Sequence, residues 1–295
     1  MRDRLDFARD GADWPNREAS RFVEAAGLRW HVQVLGQGPA VLLLHGTGGA
    51  SHSWRDAAPL LAANFTVVVP DLPGHGFTAM PRRPALSLVN MAAGLGGLCA
   101  ALDLAPELIV GHSAGAAVAA QMALDRRARP RAIVSFNGAF LPFKGLAGLI
   151  FPPMAKALAL NPFVPRAFAW GADRTAVDRL LAGFGGRIDG EARALYRRLF
   201  SNPGHVAAAL GMMANWNLPP LARGMARLEP FLELVVGETD RTVPPADAAE
   251  IARIVPRAHV TRLAGLGHLA HEEDPDEAAA IIRRVATESA APTPS

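Results

Sequence analysis

The 295-residue chain is poor in several things. It has one cysteine, Cys99, so no internal disulfide can form, and a thiolate metal cluster is excluded. The histidines lack ligand spacing on a shared helix, so no metal site is expected. Lys144 and Lys156 are the only lysines; the basic residues are almost all arginine and are scattered. With a net charge of +3 and no interleaving of basic and aromatic residues, nothing reads as a nucleic-acid footprint. No apolar run approaches the roughly 18 residues of a membrane span. The first residues, Met1-Arg2-Asp3-Arg4-Leu5-Asp6, are charged and carry no apolar stretch of the kind a signal peptide needs, and a cytoplasmic location is expected. No Gly-Lys-Ser/Thr follows a glycine-rich loop, which excludes a P-loop.

What is present is a large apolar fraction, 50 %, enough for one sizeable α/β domain with an insertion. Its chemistry gathers at Gly111-His112-Ser113-Ala114-Gly115. Glu107–Val110 before it reads as a buried strand, and the alanine-rich Ala116–Leu124 after it as a helix. Gly-x-Ser-x-Gly between strand and helix predicts a sharp turn that lifts the Ser113 hydroxyl above a sheet. The plainer alternative is an ordinary glycine-rich βα turn. His112 is expected to point away from the site.

Other segments fit the same rhythm. Leu28–Val34 alternates apolar and polar, as a half-exposed edge strand does, while Ala40–Leu44 and Thr66–Val69 read as buried parallel strands. Ser53 is expected to cap a helix running to about Ala63, with Asp56 completing a capping-box-like pair. Leu86–Leu102 reads as a helix and Ala132–Phe136 as a strand. Strands Leu232–Val236 and His259–Leu263 and helices Pro244–Ile254 and Asp276–Ala286 follow late in the chain. Alternating strands and helices predict a mostly parallel sheet. Between them, residues 139–222 break the pattern with many prolines and apolar helical pieces, and are expected to form a helical cap on a core of residues 1–138 and 223–295. Residues 1–20 read as a polar leader that packs loosely, and the tail from Ala290 as frayed.

A serine hydroxyl needs a base, and the base needs a partner that fixes its tautomer. Asp240, in the loop after the Leu232–Val236 strand, is the preferred acid, with Glu238 as its rival. His268, behind Gly267 and after the last strand, is the base candidate; His271 reads as a structural neighbour. The oxyanion donors are expected to be the N–H groups of Ala114 and Thr47, the latter in His45-Gly46-Thr47-Gly48-Gly49. Phe140, Trp170, Met212 and Trp216 are the candidate substrate contacts in the cap. Cys99 reads as core.

With Ser113, Asp240, His268 and the His45-Gly46 loop in this order, the chain resembles the α/β-hydrolase superfamily over nearly its whole length. Asp71-Leu72-Pro73-Gly74-His75-Gly76 looks like a loop of its epoxide-hydrolase and esterase branches. Asp13–Ser20, Leu28–Gln33, His45–Gly48 and Ser51–Asp56 resemble the hydrolase-like accessory proteins of bacteriochlorophyll biosynthesis, which are named with magnesium chelatase. The resemblance implies a cofactor-free serine hydrolase with a Ser-His-Asp triad, acting on a large hydrophobic substrate such as a tetrapyrrole ester, with magnesium-chelatase subunits as partners. The alternative it leaves is a non-catalytic porphyrin-binding or chelatase-accessory module. Peripheral membrane contact through Leu146–Leu160, beside Lys144 and Lys156, competes with the blander reading of a substrate lid.

Overall fold

The computed structural model describes residues 3–142 and 145–290, without the side chains of 83–84 and 145–152. Eight strands form one sheet in the order β1-β2-β4-β3-β5-β6-β7-β8. They are β1 (Ser20–Ala25), β2 (Leu28–Leu35), β3 (Ala40–Leu44), β4 (Thr66–Pro70), β5 (Leu108–His112), β6 (Ala132–Phe136), β7 (Phe231–Gly237) and β8 (Ala258–Leu263). β1 pairs with β2, and β2 with β4, antiparallel; every other pairing is parallel. The helices are α1 (Phe7–Asp10), α2 (Ala57–Ala62), α3 (Leu88–Ala101), α4 (Ala114–Leu124), α5 (Gly145–Leu160), α6 (Val164–Gly171), α7 (Arg174–Ala182), α8 (Gly190–Phe200), α9 (Pro203–Ala214), α10 (Pro219–Gly224), α11 (Ala246–Ile254), α12 (Ala270–Glu273) and α13 (Pro275–Glu288).

The central strands are apolar on both sides because helices cover both faces of the sheet. Alternation sends Leu42, Leu44, Ile109 and Ile133 to the face packed by α3, α4 and α11. It sends Val41, Leu43, Leu108, Val110 and Val134 to the face packed by α2 and α13. The parallel register puts Leu44 opposite Gly111 and Gly111 opposite Ser135, so the loops leaving β3, β5 and β6 share one rim. Ligands bind at that carboxyl rim in open α/β sheets.

Helices α5 to α10 all lie between β6 and β7 in the chain. They carry a small apolar cluster of their own, in which Val177, Leu181, Ile188, Tyr196 and Phe200 meet Leu269 from the loop after β8.

Several expectations are corrected. Leu28–Leu35 is not the edge of the sheet, because β1 pairs outside it through a two-residue turn at Ala26 and Gly27, both with positive φ. Residues 3–20, the described part of the leader, do not all pack loosely. Trp14 is buried in a cluster with Ala50, Phe77, Leu195 and Leu199, and its Nε1 donates to Ser51 Oγ at 3.1 Å. The expected capped helix at Ser53 is a 3₁₀ turn, Ser51–Trp54, followed by α2, whose N-cap Asp56 makes no side-chain capping bond. Lys144, the side chains of Ile150 and Phe151, and the tail 291–295 lie outside the described residues.

Candidate active site

Ser113 occupies the turn between β5 and α4, with φ 51° and ψ −114°. That conformation is strained for a residue with a side chain, and strain of this kind persists only where the surroundings enforce it. Here they do. A Cβ on Gly111 would strike the Ala116 backbone, and one on Gly115 would lie 2.7 Å from His45 O. The Ser113 N–H donates to Phe136 O at 2.9 Å, and its carbonyl accepts from Ala139 N at 3.1 Å. The turn is therefore clamped by β6, β3 and the loop after β6.

The acid and the imidazole come from neighbouring loops. His268 Nδ1 lies 2.7 Å from Asp240 Oδ2, and both side chains are almost wholly buried. Asp240 also accepts from Asn137 Nδ2 at 2.7 Å and, through Oδ1, from the N–H groups of Thr242 at 2.7 Å and Val243 at 3.0 Å. Four donors converge on one carboxylate and fix its orientation. With Asp240 Oδ2 as acceptor, the hydrogen of a neutral His268 ring sits on Nδ1, which leaves Nε2 with a free lone pair. Glu238, the rival acid, is exposed, while its N–H is tied to Leu263 O at 3.0 Å.

His112 does not turn away from this region as expected. Its ring lies 4.7 Å from that of His268, and its Nε2 donates to the His268 carbonyl at 2.9 Å. Burial, reinforced by the neighbouring His271 and His268, pushes its pKa well below the usual histidine value, so the ring is neutral. The same Gly46 that abuts this ring also abuts Ser113: a Cβ there would lie 2.8 Å from His112 Nδ1 and 3.1 Å from Ser113 Cβ. The loop of the imidazole is thus tied to the residue next to the serine. Among the described residues no hydrogen bond joins the Ser113 hydroxyl to His268. Such bonds are often long in substrate-free sites and tighten on binding.

Thr47 is exposed between buried neighbours, in a turn closed by Gly49 N donating to Gly46 O at 3.1 Å. His45 anchors the turn from behind, with Nδ1 donating to Gly46 O at 2.8 Å and Nε2 accepting from Leu72 N at 2.9 Å. Neither the Thr47 nor the Ala114 N–H has an acceptor among the described residues. Ala114 is the first residue of α4, where such donors are free to meet an anion.

Of the residues expected to touch substrate, Met212 is buried and its Sδ accepts from Thr47 Oγ1 at 3.5 Å. Phe140 is buried in the sheet core, and Trp216 packs partly buried against the same cluster. Trp170 is not brought to the rim: it stands 82 % exposed on α6. Of the aromatic residues in the inserted segment, Phe184 approaches His268, with the rings 5.7 Å apart, and Phe184 O accepts from His268 N at 3.0 Å. Neither Phe184, read from the sequence only as part of the apolar insertion, nor Asn137 is among the expected site residues. The following pair, Gly185-Gly186, was the available signal, because a Cβ on Gly186 would collide with Glu273, and one on Gly267 would lie 2.6 Å from Gly186 Cα.

The comparisons with known proteins agree with this architecture. Residues 41–281 match the model of the alpha/beta hydrolase family. The chain is 41 % identical over 274 residues to the magnesium-chelatase 30 kDa subunit of Rhodobacter capsulatus, covering 92 % of this chain and 95 % of that one. It is 30 % identical to the pyrrolizixenacetamide deacetylase of Xenorhabdus hominickii, over 84 % of this chain and 91 % of that one. A putative lipase from Acinetobacter baumannii superposes with a TM-score of 0.78 at 19 % identity, over 98 % of this chain and 99 % of that one, a likeness of fold. An eight-stranded, mostly parallel sheet with a strained serine at the β5–α4 turn and a family model that spans most of the sequence make this chain a member of the α/β-hydrolase family.

Proposed function

We propose that the chain is a cofactor-independent serine hydrolase of the carboxylester type. Ser113 Oγ attacks the carbonyl carbon, and His268 Nε2 takes the hydroxyl proton. The Thr47 and Ala114 N–H groups receive the charge that develops on the carbonyl oxygen. His268 then returns the proton to the departing alcohol, and water repeats the sequence to release the acid. Asp240 fixes the imidazole tautomer and stabilises the imidazolium without taking the proton. The observation that carries the reading is the 2.7 Å contact of His268 Nδ1 with Asp240, in a chain whose strained turn presents a serine on the same rim.

Residues 139–222 act as a cap over this rim, on a core of 1–138 and 223–295. Phe140, Met212 and Trp216, with Trp170 further out, supply apolar surface suited to a large hydrophobic substrate. The substrate class we propose is a tetrapyrrole ester of bacteriochlorophyll synthesis, met in the cytoplasm beside magnesium-chelatase subunits; the relative named as a magnesium-chelatase subunit supports the link to the chelatase. Replacing Ser113 by alanine is expected to lower turnover of a short activated ester by about 10⁴–10⁶. Equal rates in variant and parent would end the reading.

The same relative favours a second reading, a binding or accessory module that holds a porphyrin or a chelatase subunit on a hydrolase scaffold. Complementation separates the two. A Ser113→Ala protein that fully restores pigment synthesis supports the accessory role; one that fails while remaining folded supports chemistry.

A further inference from the structure

Helix α9 carries His205, Ala208 and Met212 on one side, spaced by three and four residues. All three meet loops of the catalytic rim. Met212 Sδ accepts from Thr47 Oγ1 at 3.5 Å. Ala208 lies so close to the 71–76 loop that a Cβ on Gly74 would be 2.7 Å from its own Cβ. His205 does more, because its ring bonds two loops at once. Nε2 lies 3.0 Å from Gly48 O, and Nδ1 lies 3.1 Å from Gly76 N.

The partners dictate the tautomer. A backbone N–H can only donate and a carbonyl can only accept, so Nδ1 must be the bare nitrogen and Nε2 must carry the hydrogen. One neutral imidazole satisfies both loops, and no protonated one can. Burial lowers the His205 pKa to about 4, which keeps that form at neutral pH. The ring is fully enclosed, edge-on to His75 at 5.2 Å, and its own backbone N–H is capped by Asn202 Oδ1 at 3.1 Å. The carbonyl it holds belongs to the residue directly after Thr47. The peptide that carries the Thr47 N–H is held through its Gly46 carbonyl by Gly49 N and His45 Nδ1, and α9 adds the bond to the Gly48 carbonyl.

We propose that His205 is a positioning residue: it ties the Gly48 carbonyl to the 71–76 loop and so orients the Thr47 N–H toward the oxyanion, completing the rim only when α9 is seated. The inserted helices therefore contribute to turnover as well as to substrate contact. This rests on the hydrolase reading above.

The test compares parent, His205→Phe, His205→Gln and His205→Asn on p-nitrophenyl butyrate, with kcat, KM and thermal melting for each. The Phe variant fills the space and removes both bonds; kcat is expected to fall about 10²-fold while KM changes little. Gln places an amide N–H where Nε2 was and is expected to stay within about fivefold of the parent. Asn reaches only as far as Nδ1, leaves Gly48 O unbonded, and is expected to fall with Phe. If the Phe variant does not fold, the Gln and Asn pair decides. An active parent with an equally active Phe variant, or with Gln and Asn alike, overturns the proposal alone. A parent without Ser113-dependent turnover overturns the hydrolase reading, and this proposal with it.

Discussion

In β5 and β6 every residue is buried, whereas Leu160, Phe163 and Trp170 of the inserted segment stand 69, 72 and 82 % exposed. The strands are held by packing on two faces, and the serine turn inherits that rigidity. The inserted segment meets the rim through small apolar clusters and through polar contacts: Tyr196 to Glu272 at 2.6 Å, His268 N to Phe184 O at 3.0 Å, Thr239 Oγ1 to Gly185 O at 3.1 Å, and Arg55 to Asp189 at 2.6 Å. The serine turn and the inserted segment are thus placed in different ways. One rests on packing in the sheet, the other on small apolar clusters together with the geometry of a few polar side chains.

This contrast can be broken or sharpened. The largest effect is expected where the two regimes meet, at the imidazole. Asp240→Asn keeps the shape but reverses the tautomer preference, and kcat on a short ester is expected to fall about 10⁴-fold. A fall of less than about tenfold would remove Asp240 from the account. Next comes packing. Leu43→Ala, between β3 and the α2–α13 face, is expected to cost about 2–5 kcal/mol in denaturant unfolding. Comparable stability in variant and parent would show that the sheet is less tightly determined than described.

A smaller effect is expected from Glu272. Burial pushes its carboxyl up to about 8, against the opposing pull of the Tyr196 hydrogen bond and of Arg55. The folded state therefore holds a proton that the unfolded chain releases near 4.5. The stability linked to that proton is complete below pH 4.5 and is lost as pH rises through 8. Between pH 5.5 and 8 the linked proton is worth about 3 kcal/mol, so the melting temperature of the parent is expected to drop by roughly 6–12 °C more than that of Glu272→Gln, at about 2–4 °C per kcal/mol. Parallel curves would contradict the buried protonated carboxyl. The smallest effect is expected from Trp170→Ala, within about 0.5 kcal/mol of the parent, because little is buried there.

The same contrast explains what could be read from the sequence. Val41–Leu44, Val67–Val69 and Leu108–Val110 are buried on both faces, so their apolar runs announce strands wherever they pair. The serine turn was legible because glycine is needed at 111 and 115 for close backbone approach. The order of serine, acid and histidine located Asp240 and His268, and the structure brings those two together. β1 was not legible, because Ser20–Ala25 mixes Arg21 and Glu24 with Phe22 and Val23 and owes its form to pairing with β2. The burial of Trp14 was also hidden, since its partners Ser51, Ala50 and Leu195 are distant in the chain. Asn137 and His112 support the site through bonds to Asp240 and to the His268 carbonyl, and no local pattern records such bonds.

The central claim is that Ser113 is a nucleophile activated by His268. Fluorophosphonate labelling followed by peptide mass mapping tests it most directly. One adduct is expected, on the peptide containing Ser113, formed rapidly in the parent and nearly abolished in His268→Ala. No adduct on Ser113, or labelling at the same rate without the imidazole, would contradict it.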